Sequence, residues 1–238
     1  MSAIVRNTEA AALPGAERNV YRVAKRVLDL FVSLSVLVIG APLLLAAALA
    51  VKLDSSGPVI FSQRRVGLNG REFVLYKFRT MTCGADDAPH REAFRKYAAG
   101  EPIEVDEHGP RFKASRDPRV TRVGRVLRAA NIDELLQLFN VIKGEMSIVG
   151  PRPAIPYELE WYRPEYHECF RFPPGITGRW QVTDDRFRVG MDTMMADDLA
   201  YVSGRGLLVD IKLIAATAAM LLRELRKGIA LAAVRSAQ

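Results

Sequence analysis

Two cysteines and three histidines are all that this 238-residue chain carries of the residues that build disulfide frameworks and zinc sites. Cys83 and Cys169 lie far apart, and no metal-ligand spacing joins them to His90, His108 or His167. A disulfide-stapled module and a zinc enzyme are disfavoured, and a reducing compartment is expected. Internal repeats are missing. So is a glycine-rich phosphate loop: Gly67-Leu68-Asn69-Gly70 reads as a turn, and Gly150-Pro151-Arg152-Pro153 lacks the Lys-Ser/Thr of a nucleotide-triphosphate loop. No small-residue cleavage site follows the one long apolar run, so a secretory signal is not expected.

Acidic residues are the minority, 27 against 34 basic ones, for a net charge of +7. That balance favours anionic partners: nucleic acid, an acidic membrane surface or phosphorylated substrates. With 49% apolar and 26% charged residues the chain reads as globular, and its length suffices for one domain with appendages or two small ones. Residues 1–18 lack periodicity and read as a mobile tail. Residues 19–54 form a basic approach (Arg18 just before it, then Arg22, Lys25 and Arg26) and an apolar segment. Residues 55–238 are the expected cytoplasmic domain, of α+β class.

From Leu30 to Val51 no charge interrupts the chain. As one straight helix those 22 residues would extend ~33 Å, enough to cross a bilayer core. A spanning anchor is therefore one reading. Pro42, at the midpoint, supports another: it removes a helical hydrogen bond and clashes with the preceding turn. A break there gives two arms of ~16 Å that return to the same membrane face, with Ser33 or Ser35 able to satisfy a freed carbonyl. It also keeps the basic tail from being exported.

Next, Asn69-Gly70 predicts a two-residue hairpin turn. Period two places Phe73, Leu75, Lys77 and Arg79 on one face of its second strand. The polar segment 84–115 reads as an insertion with a short helix over Ala88–Ala99. A central helix is expected from Asn131 as N-cap, with Glu134 closing a capping box, apolar residues Ile132, Leu135, Leu136, Phe139 and Ile142 at helical spacing, and Gly144 as terminator. Adjacent Asp133 and Glu134 fall in its first turn, where they complement the helix dipole in any protein. Together with Arg128, Arg152 and exposed N–H groups they also suit phosphate chemistry with a divalent metal. Tyr157 to Tyr166 is expected to be a short amphipathic helix and Arg179 to Val182 a short strand. Residues 211–234 should form an amphipathic helix suited to a membrane interface.

The run DELLQLFNVIKGEMSIVGPRP, with KFRTM at Lys77–Met81, Gln63 to Gly67, and Pro174-Gly175-Ile176-Thr177-Gly178, resembles the bacterial sugar transferases. These are the monotopic phosphoglycosyl transferases, or polyprenyl-phosphate hexose-1-phosphate transferases. The resemblance implies that Asp133 is a nucleophile and that Glu134, with Asp133, holds Mg²⁺. It implies phosphate or substrate contacts for Lys77, Arg79, Arg128 and Arg152, and a re-entrant helix broken at Pro42. The expected partners are a UDP-sugar donor, undecaprenyl phosphate and lipid of the bacterial inner membrane at its cytoplasmic face; a homo-oligomer is left open. Leu136 stands where the family has Pro, Ala41 where it often has Ser, Asp184-Asp185 where it continues Gly-Arg, and Gly206 where it has Ser. A basic membrane-surface module whose Asp-Glu is only a cap is the competing class. Nucleic-acid binding lacks any recognition motif.

Overall fold

The structure, a computed structural model, describes residues 15–101, 105–106, 109–110, 117–183 and 190–236. Expectations for the first fourteen residues, much of the insertion, and Asp184-Asp185 lie outside the described residues. Helix α1 runs from Gly15 to Asp54 and contains Pro42. The helical run continues across Pro42, where the sequence predicts a break. A missing N–H removes one rung while its neighbours carry on, so a proline can bend a helix without ending it. By length and composition α1 is apolar enough to cross a membrane. Much of its apolar surface is uncovered, with Ile39 81% and Leu45 73% exposed.

The basic approach to this helix behaves differently from expectation. Lys25 turns inward to the Val149 carbonyl and to Asp210, at 3.0 and 3.3 Å. Arg26 donates to the carbonyls of Val141 and Ile142, the latter at 2.6 Å. Both cations satisfy buried groups of the body and are not simply laid on lipid. Asp29 accepts from the Ser147 hydroxyl and the Ile148 N–H, each at 3.0 Å. Ser33 Oγ is buried with no hydrogen-bond partner among the described residues.

Strands β1 (Ile60–Val66) and β2 (Glu72–Phe78) form the expected hairpin, in the register Phe61↔Lys77, Gln63↔Leu75, Arg65↔Phe73, but residues 67–71 close it through a 3-10 turn at Leu68–Gly70 in place of the predicted two-residue turn. Asn69 and Gly70 have φ of 57° and 73°, the left-handed region for which this dipeptide is suited. Helix α2 is Ala88–Ala98, and a short ribbon pairs β3 (Val105–Asp106) with β4 (Gly109–Pro110). Helix α3 spans Arg122–Ala129, with Thr121 accepting from the Gly124 N–H as its cap. Gly124 is required because a Cβ there would strike the Thr80 carbonyl.

The central helix is divided. Asn131, at φ 55° and ψ 21°, ends α3 in the left-handed conformation and makes no side-chain cap. Ile132–Leu136 is a 3-10 turn, and helix α4 follows at Gln137–Lys143 with Gly144 as terminator at φ 86°. The predicted N-cap is thus the stop of the previous helix: Asn tolerates this conformation better than most residues. Leu136 has φ −67°, a value that a proline would also adopt.

Helix α4 lies along the open edge of β2. Fully buried Asn140 acts as a missing strand there: its Oδ1 accepts from Tyr76 N–H at 3.2 Å and its Nδ2 donates to the Val74 carbonyl at 2.7 Å. Strand β5 (Ser147–Val149) pairs in parallel with β6 (Gly175–Thr177). Gly175 meets Gly150 so closely that a Cβ would collide with its backbone. Tyr157 to Tyr166 falls in two 3-10 segments, Pro156–Trp161 and Pro164–Arg171, rather than one helix. Trp180–Val182 is a 3-10 turn, not a strand. Helices α5 (Met191–Gly204) and α6 (Leu207–Ser236) complete the chain. The first half of α6 packs Val209, Leu213 and Ile214 on the main core of Leu75, Leu138, Val141 and Val149. A second cluster joins Phe94 of α2 to Tyr166, Met191 and Met195. A third joins Ala47 and Val51 of α1 to Phe78, Leu127 and Leu136.

Candidate active site

Asp133 and Glu134 sit on the 3-10 turn between α3 and α4, with Asp133 only 8% exposed. The turn is pinned beneath by Ile132 and Leu136, which pack against Phe78 and Leu127. Lys77, from the edge strand β2, places Nζ 2.8 Å from Glu134 Oε1. Arg128, in the last turn of α3, donates Nε to Thr80 Oγ1 at 2.8 Å. Burial pulls its guanidinium below the ordinary value, while the negative charges of Asp133 and Asp117 push back. The structure therefore brings Asp133, Glu134, Lys77 and Arg128 together.

Arg79 is placed elsewhere. Strand β2 ends at Phe78, so the period-two face stops one residue short of it. Its buried guanidinium crosses to the end of α1, donating to the carbonyls of Ser56 (2.6 Å), Ser55 (2.7 Å) and Val51 (3.3 Å) and to Ser55 Oγ (3.0 Å). Val51 lies in the last turn of α1, where helix carbonyls lose their partners, and Ser55 and Ser56 directly follow the helix. Arg79 is a cap for α1 in this structure.

Arg152 is also engaged, by a group that sequence reasoning did not single out. Both of its terminal nitrogens fork onto Glu158, at 2.6 and 2.8 Å, and Glu158 is fully buried. Burial disfavours the Glu158 charge, but Arg152 beside it holds the carboxyl below its usual range. Arg152 N–H also donates to Asp198 Oδ2 at 3.0 Å. Asp198 is buried, with Oδ1 unpartnered among the described residues, and burial raises its carboxyl to about 7.

Arg65 was the other omission. It shares the hairpin face of Lys77, two pairs along, so the period-two pattern that selected Lys77 selects it equally. Its terminal nitrogens reach the Pro153 carbonyl at 2.9 Å and Gln63 Oε1 at 2.7 Å, while Nε is buried without a partner among the described residues. Burial and the like charge of Arg152 bring its guanidinium down to about 10, against the attraction of Glu158 and Glu134. Lys77 and Arg128 thus flank the carboxylate pair, an arrangement that can receive phosphate oxygens and offer a carboxylate oxygen as nucleophile.

Magnesium fits this donor set. It is bound through one or two carboxylates, with phosphate and water completing its shell. Asp133 and Glu134 would supply those carboxylates, and no larger cluster of His, Cys, Asp or Glu occurs among the described residues.

Comparison with known proteins gives a consistent family. The bacterial sugar transferase profile matches residues 20–224. The undecaprenyl-phosphate galactose phosphotransferase of Salmonella typhimurium is 40% identical over 202 residues, covering 85% of this chain and 41% of that protein. The exopolysaccharide production protein ExoY of Sinorhizobium fredii is 38% identical over 200 residues, covering 84% of this chain and 86% of its own. The UDP-glucose:undecaprenyl-phosphate glucose-1-phosphate transferase of Caulobacter vibrioides is 41% identical over 207 residues, covering 83% and 69%. The chain thus spans less than half of the Salmonella relative and most of the Sinorhizobium one.

Proposed function

The chain belongs to the bacterial sugar transferases, and on that premise we propose that it moves hexose-1-phosphate from a UDP-sugar to undecaprenyl phosphate. The observation that carries this reading is the Asp133-Glu134 pair on its turn, with Lys77 on Glu134 and Arg128 within the field of Asp133. An Asp133 oxygen attacks the β-phosphorus of the donor. The bond from that phosphorus to the bridging oxygen breaks, UMP departs with the electron pair, and a phosphosugar remains on Asp133. An oxygen of the lipid phosphate then attacks the same phosphorus, Asp133 leaves, and the product is a polyprenyl-diphosphate sugar. Splitting one transfer into two lets the same cations serve both displacements in turn. Mg²⁺, when held by Glu134 and Asp133, supplies charge neutralisation on the phosphate oxygens. Lys77 and Arg128 orient the diphosphate, and burial of Asp133 limits competing attack by water.

The lipid acceptor places this chemistry at a membrane, on the cytoplasmic face of the bacterial inner membrane. A re-entrant course for α1 is supported by what its two halves touch. Arg26 caps the Val141 and Ile142 end of α4, and Val51 packs in the cluster containing Leu136. A straight helix would hold residues 26 and 51 ~38 Å apart, whereas residues 136 and 141 are separated by ~8 Å of helical rise. A bend at Pro42 reconciles those contacts and returns both arms to one face.

The test is release of UMP from a panel of UDP-sugars in membranes containing undecaprenyl phosphate, with sugar-labelled donor to capture the enzyme-bound phosphosugar. Asp133→Asn is expected to abolish both release and labelling, because an amide does not attack phosphorus. Near-normal turnover by that variant would falsify the nucleophile assignment.

A further inference from the structure

Two guanidinium groups, Arg65 and Arg152, stand near one another, and the Glu158 carboxylate bears on both. Glu158 binds Arg152 by a two-pronged bond and accepts the Ile155 N–H at 2.9 Å, so its carboxylate has a fixed direction. Arg65 itself is bonded to a carbonyl and an amide oxygen, and it feels the charges of Glu158 and of Glu134 beside the nucleophile only at a distance. Its buried Nε has no partner among the described residues. Buried like charges in this arrangement favour an incoming anion.

The turn that carries Glu158 is held from outside by the insertion. His90 of α2 lies 2.5 Å from the Tyr157 hydroxyl, and the Arg91 guanidinium stacks 4.4 Å over the Tyr157 ring. Burial keeps His90 neutral, down to about 4, so this contact is a plain hydrogen bond through the neutral range. Phe94 anchors the same helix in the cluster of Tyr166 and Met191. The insertion thus packs on the back of the catalytic domain at the residue next to Glu158.

We infer that Glu158 is a positioning residue that sets Arg65 and Arg152 as an anion-receiving pair for the donor's diphosphate, and that helix α2 locks it in place through Tyr157. The inference rests on the transferase reading and gives the insertion a role within it. Glu158 touches no reacting atom; it acts through the arginines.

The experiment uses the full chain in detergent with undecaprenyl phosphate, Mg²⁺ and either UDP-glucose or UDP-galactose, following UMP. Glu158→Gln keeps the shape and removes the charge; it is expected to raise the donor KM about tenfold or more while kcat falls less than about threefold. Glu158→Asp should recover part of that loss. Tyr157→Phe keeps the ring beneath Arg91 but loses the His90 bond, and should raise the same KM about two- to fivefold. A folded Glu158→Gln protein with the parental KM, or with its loss confined to kcat, overturns the inference. If Glu158→Gln does not fold, Tyr157→Phe decides: a parental KM there overturns it equally. A parent that releases no UMP from any donor of the UDP-sugar panel instead overturns the transferase reading beneath it.

Discussion

Replacing Arg79 separates a structural arginine from a phosphate-binding one. Its side chain is 4% exposed and meets three carbonyls and one hydroxyl at the end of α1, between 2.6 and 3.3 Å. Hydrogen bonds to a charged donor contribute ~1.5–3 kcal/mol each. The sum is not reached on truncation to Ala, because Ser56 is exposed and its carbonyl can take water. The Val51 residue is buried and its carbonyl has less recourse. Arg79→Ala should therefore destabilise by about 3 kcal/mol, near the low end for loss of one partner of a buried charged contact. For a chain of this size that lowers the unfolding midpoint by about 6–12 °C. Arg79→Lys should recover less than half, since a single ammonium cannot fork across three carbonyls. The assay is thermal unfolding in detergent, followed by tryptophan fluorescence, with the donor KM measured well below the midpoint. A variant that melts with the parent while its donor KM rises tenfold would return Arg79 to the phosphate site and refute the capping argument.

Asn140→Leu should cost about 2–5 kcal/mol, because it strands the Tyr76 N–H and Val74 carbonyl on the edge of β2; a loss below 1 kcal/mol in denaturant unfolding would show that water replaces the amide. Asp198, raised by burial to about 7, binds its proton more tightly folded than unfolded. Its contribution to stability is full below the unfolded carboxyl range and is lost as pH rises through about 7, so the parent's melting temperature should fall between pH 5 and 8. Asp198→Asn retains an oxygen for the Arg152 N–H and should flatten that fall; an unchanged pH slope rejects the assignment. For the membrane course, Ser2→Cys and Gln238→Cys are placed singly in a chain whose Cys83 and Cys169 are replaced, and intact cells are treated with an impermeant maleimide. Protection at both positions is expected, and labelling at position 2 alone means that α1 spans.

The features legible in the sequence are those whose cause is local. Asn69-Gly70 folds as a turn because both residues accept positive φ, and Gly144 ends α4 for the same reason. Asn131 shows where locality fails. Asn before an apolar run suits the start of a helix, yet the same tolerance of the left-handed region suits the end of the preceding one. Which role it takes depends on α3 ending immediately upstream, at Ala129. The cations depart further from their sequence pattern, because a basic residue finds its acceptor through tertiary packing. Arg26 and Arg79 reach carbonyls at the C-terminal ends of α4 and α1, while Lys25 and Arg152 reach the buried carboxylates Asp210 and Glu158. Each answers a group of the folded body, so these four charges are internal and say little about outside partners. What remains at the dyad is smaller and more specific. Lys77 bonds Glu134, and Arg128 lies in the field of Asp133. An overall charge of +7 is compatible with many anions, whereas two cations set against two carboxylates favour a ligand whose negative charge is concentrated on phosphate.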